Sequence, residues 1–153
     1  MAMISSELPP AWVDQFNGLD LDAKFHVAAV LLTVDDAGWP HLAYLSAGEV
    51  LAYDTQRVSL ALWATSGSTA NLRRAGQGVL HAVAAGAIWE TRLLAQCRPT
   101  ADELVVFDAT VIEVRRHVAP YAEVTDLIGF RLNDPASTLD RWRRQIERIR
   151  AST

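Results

Sequence analysis

The chain has 153 residues, half of them hydrophobic, a single cysteine and a formal charge of −4. That length suits one domain, with a core large enough to fold without disulfide or metal. Cys97 alone excludes a disulfide framework and a Cys-rich zinc site, and the acidic balance excludes the basic footprint that nucleic acid requires.

Uninterrupted apolar runs such as Val27–Leu32 fall far short of the ~18–20 residues that span a bilayer. Met1–Pro10 has neither the basic start nor the apolar middle of a signal peptide. No membrane partner is expected, and one unpaired cysteine suits a reducing cytoplasm.

Pro9 and Pro10 open a short helix in which Trp12 and Phe16 fall four apart on one face, with Gly18 as its stop. Residues 1–24 therefore read as an N-terminal helical flap. Phe25–Val34 is nearly all apolar and rich in Val and Leu, the pattern of a strand buried on both faces. Asp35-Asp36-Ala37-Gly38 turns it into a partner strand, Trp39–Ser46. Gly48 breaks the run before a short strand over Glu49–Tyr53. Arg57–Ala64 then alternates, with Val58, Leu60 and Leu62 on one side. The hydroxyl-rich loop Thr65–Thr69 leads into one or two helical turns closed by Gly76.

Gln77–Ala85, Ile88–Arg98 and Leu104–Arg115 complete the strands, with Cys97 on the apolar side of the second of these. Val124–Leu132 fits neither period. Asp134-Pro135 then caps a terminal helix, residues 134–150, whose Leu139, Trp142, Ile146 and Ile149 form one apolar stripe. Its other faces carry arginines, read as a solvated surface. Hairpin-length connections favour antiparallel pairing, and many strands with few helices favour a closed barrel. The expected fold is one mainly β domain over residues 1–153. It is a six- to seven-stranded antiparallel barrel with a short helix after the fourth strand and an amphipathic C-terminal helix.

Thr65–Thr69 is the most informative segment for chemistry. A helix start presents N–H groups without internal partners and a partial positive charge, and the hydroxyls add donors. These suit a phosphate. The alternative is an ordinary N-cap at Ser68 or Thr69. Neither a Walker loop nor a dinucleotide fingerprint is present. The four histidines show no compact metal-ligand spacing, and Glu49 and Glu90 read as solvated strand carboxylates.

Three stretches carry a resemblance: VLLTVDDAGWPHLAYLS (Val30–Ser46), GEVLAYD (Gly48–Asp54) and VSLALWATSGSTANLRRAG (Val58–Gly76). Over residues 25–118 they resemble the FMN-binding split barrels typified by pyridoxamine 5′-phosphate oxidase. The resemblance implies a homodimer with FMN at its interface and a flavin-dependent oxidoreductase acting on a small molecule. Ser66 matches the phosphate-contacting serine, and Ser68 stands where many relatives have Lys. Thr69 and Asn71 lie at the helix start, within reach of the phosphate. Leu45 and Ser46 match the segment along the flavin ring and ribityl chain, and Trp63 ends a strand facing the flavin. No side chain then has to be an essential acid or base.

Two departures stand out: Ser68 for Lys, and no Arg on the strand His41–Ser46. Arg73, Arg74 or an arginine of a second subunit are the candidates to supply the missing charge. A true pyridoxamine 5′-phosphate oxidase is not expected, because its basic C-terminal Arg/His motif is replaced by WRRQIERIR. The competing reading is a non-catalytic barrel that binds flavin, deazaflavin or haem.

Overall fold

The computed structural model describes residues 3–126, 129 and 131–151. The segment Val124–Leu132, which the periodicity leaves open, falls partly outside them. In chain order the elements are β1 (Met3–Ser5), α1 (Pro10–Gln15), β2 (Ala28–Val34), β3 (Pro40–Ser46), β4 (Val50–Ala52) and β5 (Arg57–Trp63). They continue with α2 (Gly67–Ala75), β6 (Gln77–Ala84), β7 (Ala87–Cys97), β8 (Leu104–His117) and α3 (Pro135–Ala151).

Every pairing between strands is antiparallel, and the sheet order is β3-β2-β6-β7-β8-β5-β4. The two edge strands, β3 and β4, are consecutive in the chain. Only Ala47, Gly48 and Glu49 separate them, which limits their gap to about 14 Å at ~3.5 Å per residue. The sheet must therefore curl until its edges nearly meet, and the result is a split barrel. β1 is an addition to the seven strands legible in the sequence. Its three exposed residues pair with Val114–Arg116 on the free flank of β8.

The core fills the curl. Trp12 and Phe16 of the N-terminal segment are fully buried, their ring centroids 4.5 Å apart. The Ala52 N–H donates to the Phe16 carbonyl, and Gln15 Nε2 donates to the Val83 carbonyl. Trp142, Ile146 and Ile149 of α3 are buried as the stripe requires.

One expectation is corrected. The apolar run Phe25–Val34 is not buried on both faces. The strand begins at Ala28, and only its Ala29, Leu31 and Thr33 side is buried. Val30 and Leu32 are half-buried and Val34 is exposed. Paired to them across the ladder are Tyr44 and Leu42, about half exposed. An apolar run thus coats two different surfaces, the core and an outer sheet face that is half exposed among the described residues.

Candidate functional site

The loop after β5 is held by its own hydroxyls. Ser66 is the N-cap of α2: its Oγ accepts from the Thr69 N–H at 3.1 Å and donates to Thr69 Oγ1 at 2.9 Å. Thr69 Oγ1 donates in turn to the Trp63 carbonyl at 2.7 Å. The cap is therefore Ser66, not Ser68 or Thr69. Gly76, in the left-handed conformation, closes the helix. Asn71 locks α2 onto the sheet, with Nδ2 donating to Thr33 Oγ1 at 3.0 Å.

These bonds decide what a ligand would meet. The single hydroxyl hydrogens of Ser66 and Thr69 are already used, and Asn71 is buried. Ser68 is also buried, and its Oγ has no partner. The exposed donors at the helix start are the Gly67 N–H and the Thr65 hydroxyl.

A third group joins them. Thr33 pairs with His41 across the β2–β3 ladder, so the Asn71 anchor sets the helix start beside His41. A Cβ added at Gly67 would lie 3.1 Å from His41 Cε1 and 3.3 Å from Nε2. The imidazole thus rests on the first turn of α2, where a larger residue than glycine would make it shift by a few tenths of an ångström. Sequence reasoning missed this residue. The available signals were a polar residue on the inner side of an apolar strand and the glycine after the cap.

Arg73 and Arg74 do not supply the missing charge from within the chain. They occupy the last turn of α2, roughly 10 Å from its start at ~1.5 Å per residue. Arg74 donates to Asn71 Oδ1 and to the Val34 carbonyl.

Leu45 and Ser46 lie at the other end of β3, about 13 and 17 Å from His41 at ~3.3 Å per residue. A ligand touching both ends must be extended along the strand. Leu45 is buried in the core. Ser46 Oγ donates to Glu49 Oε1 at 2.7 Å, and the Glu49 carboxyl is pushed up by burial, which these hydrogen bonds only partly offset. Glu49 is therefore not the solvated carboxylate that its sequence context suggests, because α3 folds over the β3–β4 turn. Gln145 Nε2 of α3 donates to the Gly48 carbonyl at 3.0 Å.

Trp63 is 55% exposed and lines a cavity with α3 rather than the α2 loop. Glu90 also differs from expectation: His117 Nε2 lies 3.2 Å from its Oε2, and His81 pairs with it across the ladder. Among the described residues no cluster of His, Cys, Asp and Glu is arranged to hold a metal ion.

A cavity of about 670 Å³ lies over Ser59, Arg57 and Asp108. Its central groups already satisfy one another. Asp108 accepts two bonds from Arg98 at 2.7 Å and one from Ser59 at 2.6 Å. Arg98 Nη1 donates to the Ile149 carbonyl, so this network fastens the end of α3 to the sheet. We read it as structural.

No protein-family model matches the chain. It is 34% identical over 140 residues to the uncharacterized protein YclD of Bacillus subtilis, covering 88% of this chain and 90% of that one. Solved structures share the fold. A pyridoxamine 5′-phosphate oxidase-like protein of Lactobacillus delbrueckii superposes with TM-score 0.57 and 17% identity, covering 72% of this chain and 94% of that one. The styrene monooxygenase flavin reductase of Pseudomonas putida S12 gives 0.50 and 14%, covering 69% and 86%. An F420 reductase gives 0.50 and 11%, covering 68% and 95%. No described helix is long and apolar enough to cross a membrane. The chain has the split-barrel fold of the pyridoxamine 5′-phosphate oxidase-like proteins and belongs to one family with YclD.

Proposed function

We propose that the protein is a cytoplasmic homodimer that binds FMN and uses it as a flavin-dependent oxidoreductase on a small molecule. The observation that carries the reading is His41 resting on Gly67 at the start of α2. Thr65 and Gly67 are exposed there and offer a hydroxyl and an N–H beside the imidazole, which fits a phosphate. Leu45 and Ser46 lie along the same strand, where an extended cofactor would run. Bound FMN would supply the hydride and electron chemistry. The chain's own part is to hold the phosphate, orient the ring along β3 and keep water out. The fold shared with a flavin reductase supports this reading.

The outer sheet face supports the dimer. Val34, Leu42, Tyr44, Leu94 and Ile112 are each about half exposed on it. A face this apolar suits a second copy of the chain.

One observation favours a second reading. No permanently charged group stands at the helix start, and charge-assisted bonds are roughly twice as strong as neutral ones. A non-catalytic barrel binding flavin, deazaflavin or haem weakly would tolerate that loss.

The test is a fluorescence titration with FMN and riboflavin. FMN binding at least tenfold tighter than riboflavin, with the gap closing in His41→Ala, supports the phosphate site. Equal affinity for the two flavins, or binding of neither, overturns it. Light scattering on Leu42→Asp/Tyr44→Asp tests the dimer: wild type at twice the monomer mass and a monomeric variant are expected.

A further inference from the structure

The arginine row of α3 is not merely a solvated face. Arg141, Arg144, Gln145 and Arg148 form one wall of a cavity of about 320 Å³, and Trp63 and Glu103 border the rest. Spacings of three and four place these α3 residues on one strip of the helix. The buried strip of Trp142, Ile146 and Ile149 holds that wall against the sheet. The Gln145 bond to Gly48 and the Arg98 bond to Ile149 fix the helix near its middle and at its end. The helix that carries the wall is therefore held in place on the sheet.

Three arginines and one acid, Glu103, line the cavity, and two of those arginines have a carboxylate near them outside the lining. Arg148 pairs with Asp102. Arg141 has the buried Glu49 carboxyl near enough to feel its charge. Arg144 makes no hydrogen bond or ion pair among the described residues. Like charges crowded on one wall call for an anion, and planar guanidinium groups match carboxylate or phosphate oxygens. The other notable group at the cavity is aromatic. Trp63 is 55% exposed and borders the cavity, so its indole is available to a planar group.

We propose that this cavity binds a planar ligand bearing a carboxylate or phosphate, its ring on Trp63 and its acid held by Arg141 and Arg144. The cavity's size lies at the lower end of small-ligand sites, which run ~300–1,000 Å³. The site uses neither His41 nor the donors of the α2 loop, so it stands apart from the flavin reading. Trp63 ends β5, immediately before that loop.

Isothermal titration of the full chain, without flavin, tests this. The probes are 2-naphthoate, 2-naphthyl phosphate and the neutral 2-naphthalenemethanol. Either anion should bind at least tenfold tighter than the alcohol, and the tighter of the two names the acid. Arg141→Ala/Arg144→Ala should cost the anions at least tenfold and leave the alcohol unchanged. Both arginines are exposed, so the fold is preserved, which a thermal melt verifies. Trp63→Ala should weaken all three probes. Anions binding no tighter than the alcohol, or as tightly to the double variant as to wild type, overturn the proposal. Because no flavin is present, a chain that fails to bind FMN leaves this result untouched.

Discussion

Gly48 sits where α3 crosses the β3–β4 turn, and replacing it with alanine tests how firmly that helix is held. A Cβ there would lie 2.2 Å from Trp142 Cγ and 2.5 Å from Trp142 Cβ. Ordinary contact begins near 3.4 Å, so the indole must retreat by more than about 1 Å. Trp142 is 2% exposed, so its indole is enclosed by the core. Overpacking of this kind costs ~1–3 kcal/mol. Complete ejection of the indole sets the upper limit: about 250 Å² at ~25 cal/mol per Å² is ~6 kcal/mol. Gly48→Ala should therefore lose ~2–4 kcal/mol in urea denaturation. The φ of Gly48 is not positive, so the cost is steric. Gly38 is the control. It has φ +85° and nothing within 4 Å of an added Cβ, so Gly38→Ala should cost only the backbone penalty of ~1–2 kcal/mol. In a Trp142→Leu background the Gly48→Ala cost should fall by at least half, a coupling that only direct contact explains. A Gly48→Ala variant within ~0.5 kcal/mol of wild type, or strictly additive effects, would refute the argument.

The α2 cap separates hydroxyls that look equivalent in sequence. Ser66→Ala should cost ~0.5–2 kcal/mol and Ser66→Gly only a few tenths, whereas Ser68→Ala, which removes a buried hydroxyl without a partner, should be neutral or slightly stabilising. Thermal melts of the three variants decide it. Asp108 is held below the usual carboxylate range by Arg98, so its contribution is present above that range and is lost as pH falls through the lowered pKa. Asp108→Asn should cost ~0.5–1 kcal/mol at neutral pH, because Asp108 is half exposed and Arg98 keeps its bonds to the Ile149 carbonyl and Tyr53, and should flatten the acid limb of the stability curve. Equal acid limbs for the two proteins would remove Asp108 from that role. Glu49 has the opposite sign. Burial raises its carboxyl, so its contribution is full below the ordinary ~4.3 and declines as pH rises through the raised value. Glu49→Gln should lose that decline in a pH series of denaturation midpoints while still accepting the Ser46 hydroxyl.

The strands, their turns and both capped helices were legible because each rests on near neighbours. Alternation marks Arg57–Trp63, Asp35–Gly38 turns a hairpin, and the spacing of Trp142, Ile146 and Ile149 names the buried face of α3. Antiparallel pairing followed from the short connections, whereas the sheet curls into a split barrel without closing. β1 escaped because three exposed residues carry no period, and they are a strand only through their partner on β8.

The site is different. Alternation shows that a strand has two faces but not what covers each, so the outer apolar face of β2 was mistaken for core. Ser66 and Ser68 both follow a strand and precede a helix. Only the turn of the backbone decides which one caps and which is buried. Arg73 and Arg74 are near Ser66 in sequence but at the far end of α2 in space. His41 reaches Gly67, and Trp63 reaches the arginines of α3, only because the sheet curls until its edges meet. Sequence periodicity determined the elements of this protein, while the curl of one continuous sheet decided which residues face one another across its open seam.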